Sequence, residues 1–594
     1  MFRRRSISHE IAPDEIFLDS TNLPAHEIGS FEGRVERPVS RRAIFGVALV
    51  FAVVVLVYGG RALDLGVVHG ATYAEISRDN TMESWPLFAL RGIVYDAKGR
   101  QLAWNEAPLE TSVSNVVNSA TSSEELATTH STGSTSSPQA SSGQATPYAL
   151  RRYVEDSGFS ILLGFLRYPK ADRSGAWWRA EYTGISGIEL EHDGDLAGIN
   201  GSRMIERDAR HAIVQENITT PPISGEDLHL SIDADVQTHL YQILSEHARG
   251  NRFVGGAAVI MDVRTGELLA ITSFPEYDNQ AFTDGDAKSI AAASKDSATP
   301  MLDRAVSGLY TPGSIVKPIF AAAALNEGII SPDKQIESVG AITIPNPYNP
   351  DLPSIFRDWR VHGWVDMRTA LAVSSDEYFY TIGGGYGGQQ GLGIAKIDEY
   401  ARRFGLGVKT GIEFGSEQSG TIPTPEWKAE VFGEDDPWRI GNTYHTAIGQ
   451  YGFQVTPVQA VRFVAAIANG GKLLKPQLLA SSTSESSSIG IPDEYLQIVR
   501  EGMRMAVTST RDDATVKALN IAGIEIAGKT GTAQIGAHNE WMNSWSVGFW
   551  PADNPKYAYA VVLEKAPAGT NSGAAPGLNP FFYWLIQNKP EYVR

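Results

Sequence analysis

The chain contains no cysteine. That excludes a disulfide framework, thiolate-held zinc and a cysteine nucleophile. Its twelve histidines are scattered and form no His-Glu-x-x-His pattern, so neither a metal nor a cofactor is expected. Basic charge is also scarce. Fifty Lys and Arg stand against 68 Asp and Glu, a formal net charge of −18. The basic face that nucleic-acid binding requires is missing, and no nucleic-acid partner is expected. Long apolar runs are almost absent too. The one long apolar run is AIFGVALVFAVVVLVYGG, residues 43–60, 18 residues without a charge. It reaches about 27 Å, enough for a thin hydrocarbon core. Arg34, Arg37, Arg41 and Arg42 precede it. The positive-inside bias then makes residues 1–42 a cytoplasmic tail and puts the rest of the chain outside, in a single-pass protein of the plasma membrane. A cleaved signal peptide is the rival reading. An n-region of 42 residues and the lack of an Ala-x-Ala site speak against it.

What is present reads as two folded parts. LRGIVYDAKGRQLAWNEA, residues 90–107, alternates apolar and polar around Asp96–Gly99 and predicts a hairpin. Residues 111–147 are loaded with Ser, Thr, Ala and Gly. They lack the apolar surface to fold and are expected to be a disordered insertion. Mixed composition returns from Tyr148 to Asp227, with Trp177 and Trp178 as expected core or interface residues. Together these segments predict a small pedestal domain over 61–230. The larger part is 231–594. LHLSI predicts a strand, and Asp233 an N-cap for a helix over Asp235–Arg249. GGAAVIMDVRTGELLAITS, residues 255–273, reads as two strands turning at Arg264–Gly266. Near the C-terminus IEIAGKTGTAQ, NSWSVGFWP and KYAYAVVLE read as three more. The fold class is therefore α+β, an antiparallel sheet with apolar helices packed on it.

YTPGSIVKPIF, residues 310–320, sets Ser314 three residues ahead of Lys317. Ile315–Leu325 has four consecutive alanines and predicts a buried helix with Ser314 at or near its N-terminus. Helical positions i and i+3 are neighbours, so hydroxyl and amine could meet. A serine needs a base to become a nucleophile, and a lysine serves only if burial lowers its pKa. Free N–H groups at the helix start could stabilise an oxyanion. A second Ser-x-x-Lys, Ser331–Lys334, sits in a polar stretch and reads as a loop. Two further elements matter. LAVSSDEYFYTIG places Ser374, Ser375 and Asp376 at the end of a helix. IAGKTGTAQ places Lys529, Thr530 and Gly531 along a sheet edge, where Gly531 would keep the edge open. There Thr530 and Thr532 could meet a ligand carboxylate. A second Lys-Thr-Gly, Lys409–Gly411, lies in a Gly-rich turn region. Each element alone reads as a capped helix or a hairpin; all three in order are hard to reconcile with accident.

Ser-x-x-Lys, a Ser-x-Asn relative and Lys-Thr-Gly together resemble the signature of penicillin-binding proteins and serine β-lactamases. The resemblance extends over 90–107 and 184–565, through blocks such as GISGIELEHDGDLAGINGS, LSIDADVQTHL, GNTYHTAIGQ and VTPVQAVRFVAAIANGG. It is to class B enzymes, peptidoglycan D,D-transpeptidases. Asp376 stands where many relatives have Asn. With DWRVHGWVDMRTALAVSSDEYFY, and steps of 60 residues from Ser314 to Ser374 and 215 to Lys529, it is similar to the elongation-type penicillin-binding protein 2 branch. Tyr451 is a departure, standing where the family often has Gly. The resemblance implies a transpeptidase domain over 231–594. Ser314 would attack the D-Ala-D-Ala bond of a peptidoglycan stem peptide, with Lys317 as base. Ser374 would relay a proton, Asp376 hold Lys317 or the substrate backbone, and Lys529 supply positive charge. Thr530 and Thr532 would bind the terminal carboxylate, and the N–H groups of Ser314 and Thr532 would form an oxyanion hole. β-Lactams become inhibitors. No glycosyltransferase motif is visible before residue 230, which implies a separate membrane polymerase of the SEDS family as partner. The rivals are a hydrolase, either D,D-carboxypeptidase or β-lactamase, and a non-catalytic scaffold or β-lactam sensor.

Overall fold

The computed structural model describes residues 40–79, 82–107, 146–173, 175–207, 213–346, 349, 351–480 and 484–594. Most of the expected tail 1–42 and of the insertion 111–147 lies outside the described residues. The chain divides into two units, 1–83 with 205–215, and 84–204 with 216–594.

In the first unit, helix α1 (Arg41–Leu63) starts where the Ser40 side chain accepts the Ala43 N–H. It continues through a π-helical turn, Asp64–Val68. The apolar run thus lies inside a longer helix of 28 residues, with Arg41 and Arg42 in its first turn rather than in the preceding tail. Among the described residues it is the one helix long and apolar enough to cross a membrane. None of its side chains is buried by protein.

The second unit holds two folded regions. In the smaller, strands Val94–Tyr95, Gln101–Glu106 and Leu150–Tyr153 pair antiparallel, and Leu228–His229 runs parallel to Val94–Tyr95. The expected hairpin forms: Asp96 Oδ1 accepts the N–H groups of Lys98 and Arg100. LHLSI is shorter as a strand than expected: regular pairing covers Leu228–His229, and Leu230, whose N–H still donates to Tyr95 O, bridges to Leu479. The paired tryptophans take different environments. Neighbouring strand residues point to opposite faces, so Trp177 packs edge-on against Phe88 while Trp178 is 61% exposed beside the Arg179 guanidinium. The centre of this region is an ion triad that sequence reasoning missed. Glu189 accepts from Arg91 Nε at 2.5 Å and from Arg151 Nε at 2.7 Å, with all three side chains buried.

The larger region is built on a five-stranded antiparallel sheet. Helix α2 (Ala234–Gly250) leads into β1 (Gly255–Asp262) and β2 (Leu268–Phe274). Asp233 caps α2 by accepting from Asp235 and Val236 N–H groups. The chain then leaves the sheet for helices α3 (Lys317–Asn326), α4 (Met367–Val373), α5 (Asp376–Gly384), α6 (Pro457–Ala468) and α7 (Asp493–Thr508). It returns as β3 (Ala527–Ile535), β4 (Trp541–Trp550) and β5 (Tyr557–Pro567), and ends in α8 (Ala574–Asn588). Spatial order is β2-β1-β5-β4-β3. β1 is apolar from Gly255 to Met261, with only its last residue, Asp262, charged, because both sheet faces are covered. Ala257, Val259 and Met261 join the core with Val461 and Val464 of α6. Ala258 and Ile260 join Leu240 and Leu244 of α2 and Phe582 of α8. β3 is left at the edge, and the helical insertion faces it.

The helix expected over Ile315–Leu325 is divided. Gly313–Val316 is a 3-10 turn, and α3 begins at Lys317, with Pro318 in its first turn. Proline has no N–H to donate and is pre-set for that position. Every residue from Lys317 to Leu325 is buried. A helix apolar on all sides belongs in a core, and here that core fixes the direction of the helix's own cation, Lys317.

Candidate active site

Three elements converge. The first is the 3-10 turn carrying Ser314, which places Lys317 one turn on. The second is the corner between α4 and α5. Ser374 ends α4 in the left-handed region (φ 58°, ψ 38°), and Ser375 caps α5, its Oγ accepting from Tyr378 N–H. A serine held with positive φ carries backbone strain of about 1 kcal/mol or more, here stabilised by the two helices that meet on it. The third is edge strand β3, paired with β4 so that Lys529 lies opposite Val547 and Gly531 opposite Trp545. A Cβ on Gly531 would lie 2.5 Å from Pro312 O and 2.9 Å from Ile315 Cγ2. Glycine at 531 therefore lets the Ser314 turn dock against the strand, rather than keeping the edge open as expected. Gly313 has φ +55°, and a Cβ there would lie 3.0 Å from Thr532 O.

The side chains meet behind that contact. Lys317 Nζ donates to Ser374 O at 2.7 Å and Ser374 Oγ at 3.3 Å, and pairs with Asp376 Oδ1 at 2.5 Å. Lys529 Nζ donates to Ser374 Oγ at 2.7 Å and to Thr530 O at 2.9 Å. Ser374 Oγ thus lies between two buried lysines. Ser314 is half-buried, and among the described residues its hydroxyl makes no hydrogen bond, to Lys317 or to any other group. Burial, reinforced by the charge of Lys317, pushes the Lys529 ammonium well below its usual range. Burial also pushes the Asp376 carboxyl up. Lys317 opposes that rise and Asp358 adds to it. Asp376 and Thr532 open onto a cavity of about 670 Å³ that Trp359, Tyr380, His445 and Tyr451 also line. Thr530 is half-buried beside it in sequence and does not line the cavity.

The two decoy motifs are loops. Ser331 and Lys334 are exposed, and Lys334 Nζ donates to Gln389. Lys409 is exposed, and the N–H groups of Thr410 and Gly411 donate to Glu417.

The family description "Penicillin binding protein transpeptidase domain" matches residues 256–583, which contain all of these groups. The chain belongs to the penicillin-binding protein transpeptidases. A second description, "Penicillin-binding Protein dimerisation domain", matches residues 138–230. The peptidoglycan D,D-transpeptidase MrdA of Haemophilus influenzae is 29% identical over 75% of this chain and 71% of its own length. MrdA of Acinetobacter baumannii is 32% identical over 69% of this chain, and MrdA of Escherichia coli K12 30% identical over 66%. The chain spans 62% and 63% of those two proteins. Among solved structures, Pseudomonas aeruginosa PBP2 in complex with WCK 5153 is 25% identical, with a TM-score of 0.64 over 86% of this chain and 98% of that one. PBP2 of Helicobacter pylori in its complex with MreC shares the fold, with a TM-score of 0.67 at 23% identity over 86% and 99% of the two chains.

For this penicillin-binding protein, the departure at Tyr451 has a visible basis. Its φ is +63°, a conformation in which glycine is unstrained. Tyr451 instead packs edge-on against Trp427 and Trp438 and stacks with Phe432. Sequence reasoning missed Asp358, which lies behind the Ser374 corner. Burial opposes its charge, yet His362, Lys317, the Glu377 N–H and Ser375 together hold its carboxyl down at about 2. The one available signal was the Asp-Trp-Arg block around it, quoted for resemblance and not for chemistry.

Proposed function

We propose that this chain is a peptidoglycan D,D-transpeptidase, anchored by α1 with its N-terminus cytoplasmic and its 231–594 domain outside. The observation that carries the reading is Ser374 Oγ held between Lys317 and Lys529, with Asp376 on Lys317. Ser314 Oγ bonds to the carbonyl carbon of the penultimate D-alanine, the C–N bond breaks, and terminal D-alanine leaves with the proton. An amine of a second stem then attacks the ester and returns the proton to Ser314. Buried Lys529 favours the neutral amine, so the two lysines need share only one ammonium charge. Lys317 can pass a proton through Ser374 to Lys529 and accept that of Ser314. This differs from the fixed cation that the sequence suggests for Lys529. Thr530, Gly531 and Thr532 would bind the substrate carboxylate, and the N–H groups of Thr532 and Ser314 the oxyanion.

An elongation role is favoured by the MrdA relatives, which match at 29–32% identity, against 27% for Escherichia coli FtsI. A SEDS-type polymerase is the proposed membrane partner; a solved peptidoglycan synthase complex shares this fold. The test is labelling with a fluorescent penicillin. Stable labelling that Ser314→Ala abolishes and Ser331→Ala leaves intact is expected. Labelling that decays within minutes would favour a hydrolase, and none on the folded protein a scaffold.

A further inference from the structure

Behind the Ser374–Asp376 corner lies a second buried cluster that the transfer chemistry does not use. His362 Nδ1 is hydrogen-bonded to Asp513 Oδ2 at 2.8 Å, and its Nε2, which makes no hydrogen bond among the described residues, lies at ion-pair distance, 3.5 Å, from Asp358 Oδ1. All three side chains are buried. Asp358 Oδ2 accepts from Ser375 Oγ at 2.8 Å and from Glu377 N–H at 2.9 Å, the residues on either side of Asp376. Asp513 is held from its other side by Arg511, whose Nε and Nη2 both donate to it at 2.8 Å. Arg511 Nη2 also donates to His362 O at 3.0 Å.

We propose that Asp513, His362 and Asp358 form a positioning relay, in which an imidazolium clamped between two buried carboxylates pins the corner bearing Ser374 and Asp376. Acylation at Ser314 then depends on the charge of His362. The inference rests on the acyl-enzyme reading above. Its physical basis is that buried carboxylates need partners. Without the imidazolium, Asp358 keeps Ser375, Ser338, the N–H groups of Trp359 and Glu377 and the field of Lys317. It loses its cation on the side away from the site and gains freedom to move the corner. The charged and titratable groups around the imidazole are Asp358, Asp513 and Arg511. Beyond Asp358 lie Lys317, Asp376 and Glu377, and outside the cluster the Arg360–Asp512 pair at 2.7 Å. The Trp359 ring closes one side, its centroid 5.1 Å from that of the imidazole. Burial disfavours the cation, but the two carboxylates outweigh it and raise the imidazole above its usual range. The sign follows: the clamp is complete below the ordinary imidazole range and is released as pH rises through the raised value.

The experiment measures the rate constant for acylation by a fluorescent penicillin from pH 5 to 9, on the full chain in detergent. The proteins are wild type, His362→Gln, Asp513→Asn and the outer control Arg360→Gln. A corner displaced by an ångström costs about 100-fold in rate. His362→Gln is therefore expected to be about 10- to 100-fold slower than wild type at pH 6, with the ratio shrinking as pH rises. Arg360→Gln should follow wild type. A wild-type to His362→Gln ratio that stays constant across pH, or equals one throughout, overturns the relay while leaving the acyl-enzyme reading standing. Where His362→Gln does not fold, Asp513→Asn decides. It keeps the imidazole but removes one carboxylate, so the alkaline limb must move to lower pH; an unmoved limb overturns the proposal. A wild type that takes no label at any pH overturns both readings.

Discussion

Gly531→Ala tests the convergence of strand and turn most directly. A Cβ there would meet Pro312 O at 2.5 Å and Ile315 Cγ2 at 2.9 Å. Neither is the flexible end of a long side chain. Ordinary contact needs about 3.4 Å or more, so β3 and the Ser314 turn must part by close to 1 Å. Overpacking of this kind costs about 1–3 kcal/mol. In a region of this size that lowers the melting temperature by about 2–4 °C for each kcal/mol, which leaves the protein folded at 25 °C. The same ångström separates Ser314 from Lys529 and Thr532, and misplacement of that order costs about 100-fold in rate, close to 2.7 kcal/mol of barrier. The assay is the acylation rate constant with a fluorescent penicillin beside a melting curve. Gly250→Ala, where nothing lies within 4 Å of a new Cβ, is the silent control. Acylation by folded Gly531→Ala within threefold of wild type would refute the reasoning.

Three other outcomes follow from buried charge. Glu189→Gln leaves two buried guanidiniums without their shared carboxylate and should cost about 3–5 kcal/mol, read as a lowered denaturation midpoint; a loss below 1 kcal/mol would contradict it. Burial opposes the Glu189 charge, but Arg151 and Arg91 hold its carboxyl below the usual range. Its stabilisation is therefore present above that range and is lost as pH falls through the lowered value, which Glu189→Gln should remove from an acid titration of stability. Asp376→Asn removes the partner of Lys317. Because burial holds the Asp376 carboxyl up, wild-type acylation should fall off in acid at a higher pH than an ordinary carboxylate gives, and Asp376→Asn should lack that limb. Lys529→Met replaces a desolvated amine by an apolar chain of similar length. It should gain roughly 1 kcal/mol of stability while losing acylation, and a destabilised variant would show that the amine is well accommodated.

Much of the site was legible locally. Ser314, Lys317, Ser374, Asp376 and Lys529 could be singled out as candidates because each sits in a short run whose neighbours dictate a helix start, a helix end or a strand. The decoys at Ser331 and Lys409 were separable on the same ground, since neither has an apolar element to hold it. The strands β1 and β2 and the N-cap at Asp233 were also readable, being set by short apolar runs about a turn and by one hydrogen bond. The 3-10 turn before Lys317 was not anticipated, although Pro318 carried the signal.

By itself, then, the sequence determined the apolar helix, the α+β order and the three motifs, because these depend on residues a few positions apart. Tertiary structure decided which partners those motifs have. Lys317 hydrogen-bonds to Asp376 and Ser374, 59 and 57 residues on. Gly531 serves the approach of a turn more than 200 residues upstream in sequence. Asp513 reaches the site through His362, 151 residues away. Burial and charge act through space, and only the folded chain sets which groups share a low-dielectric interior.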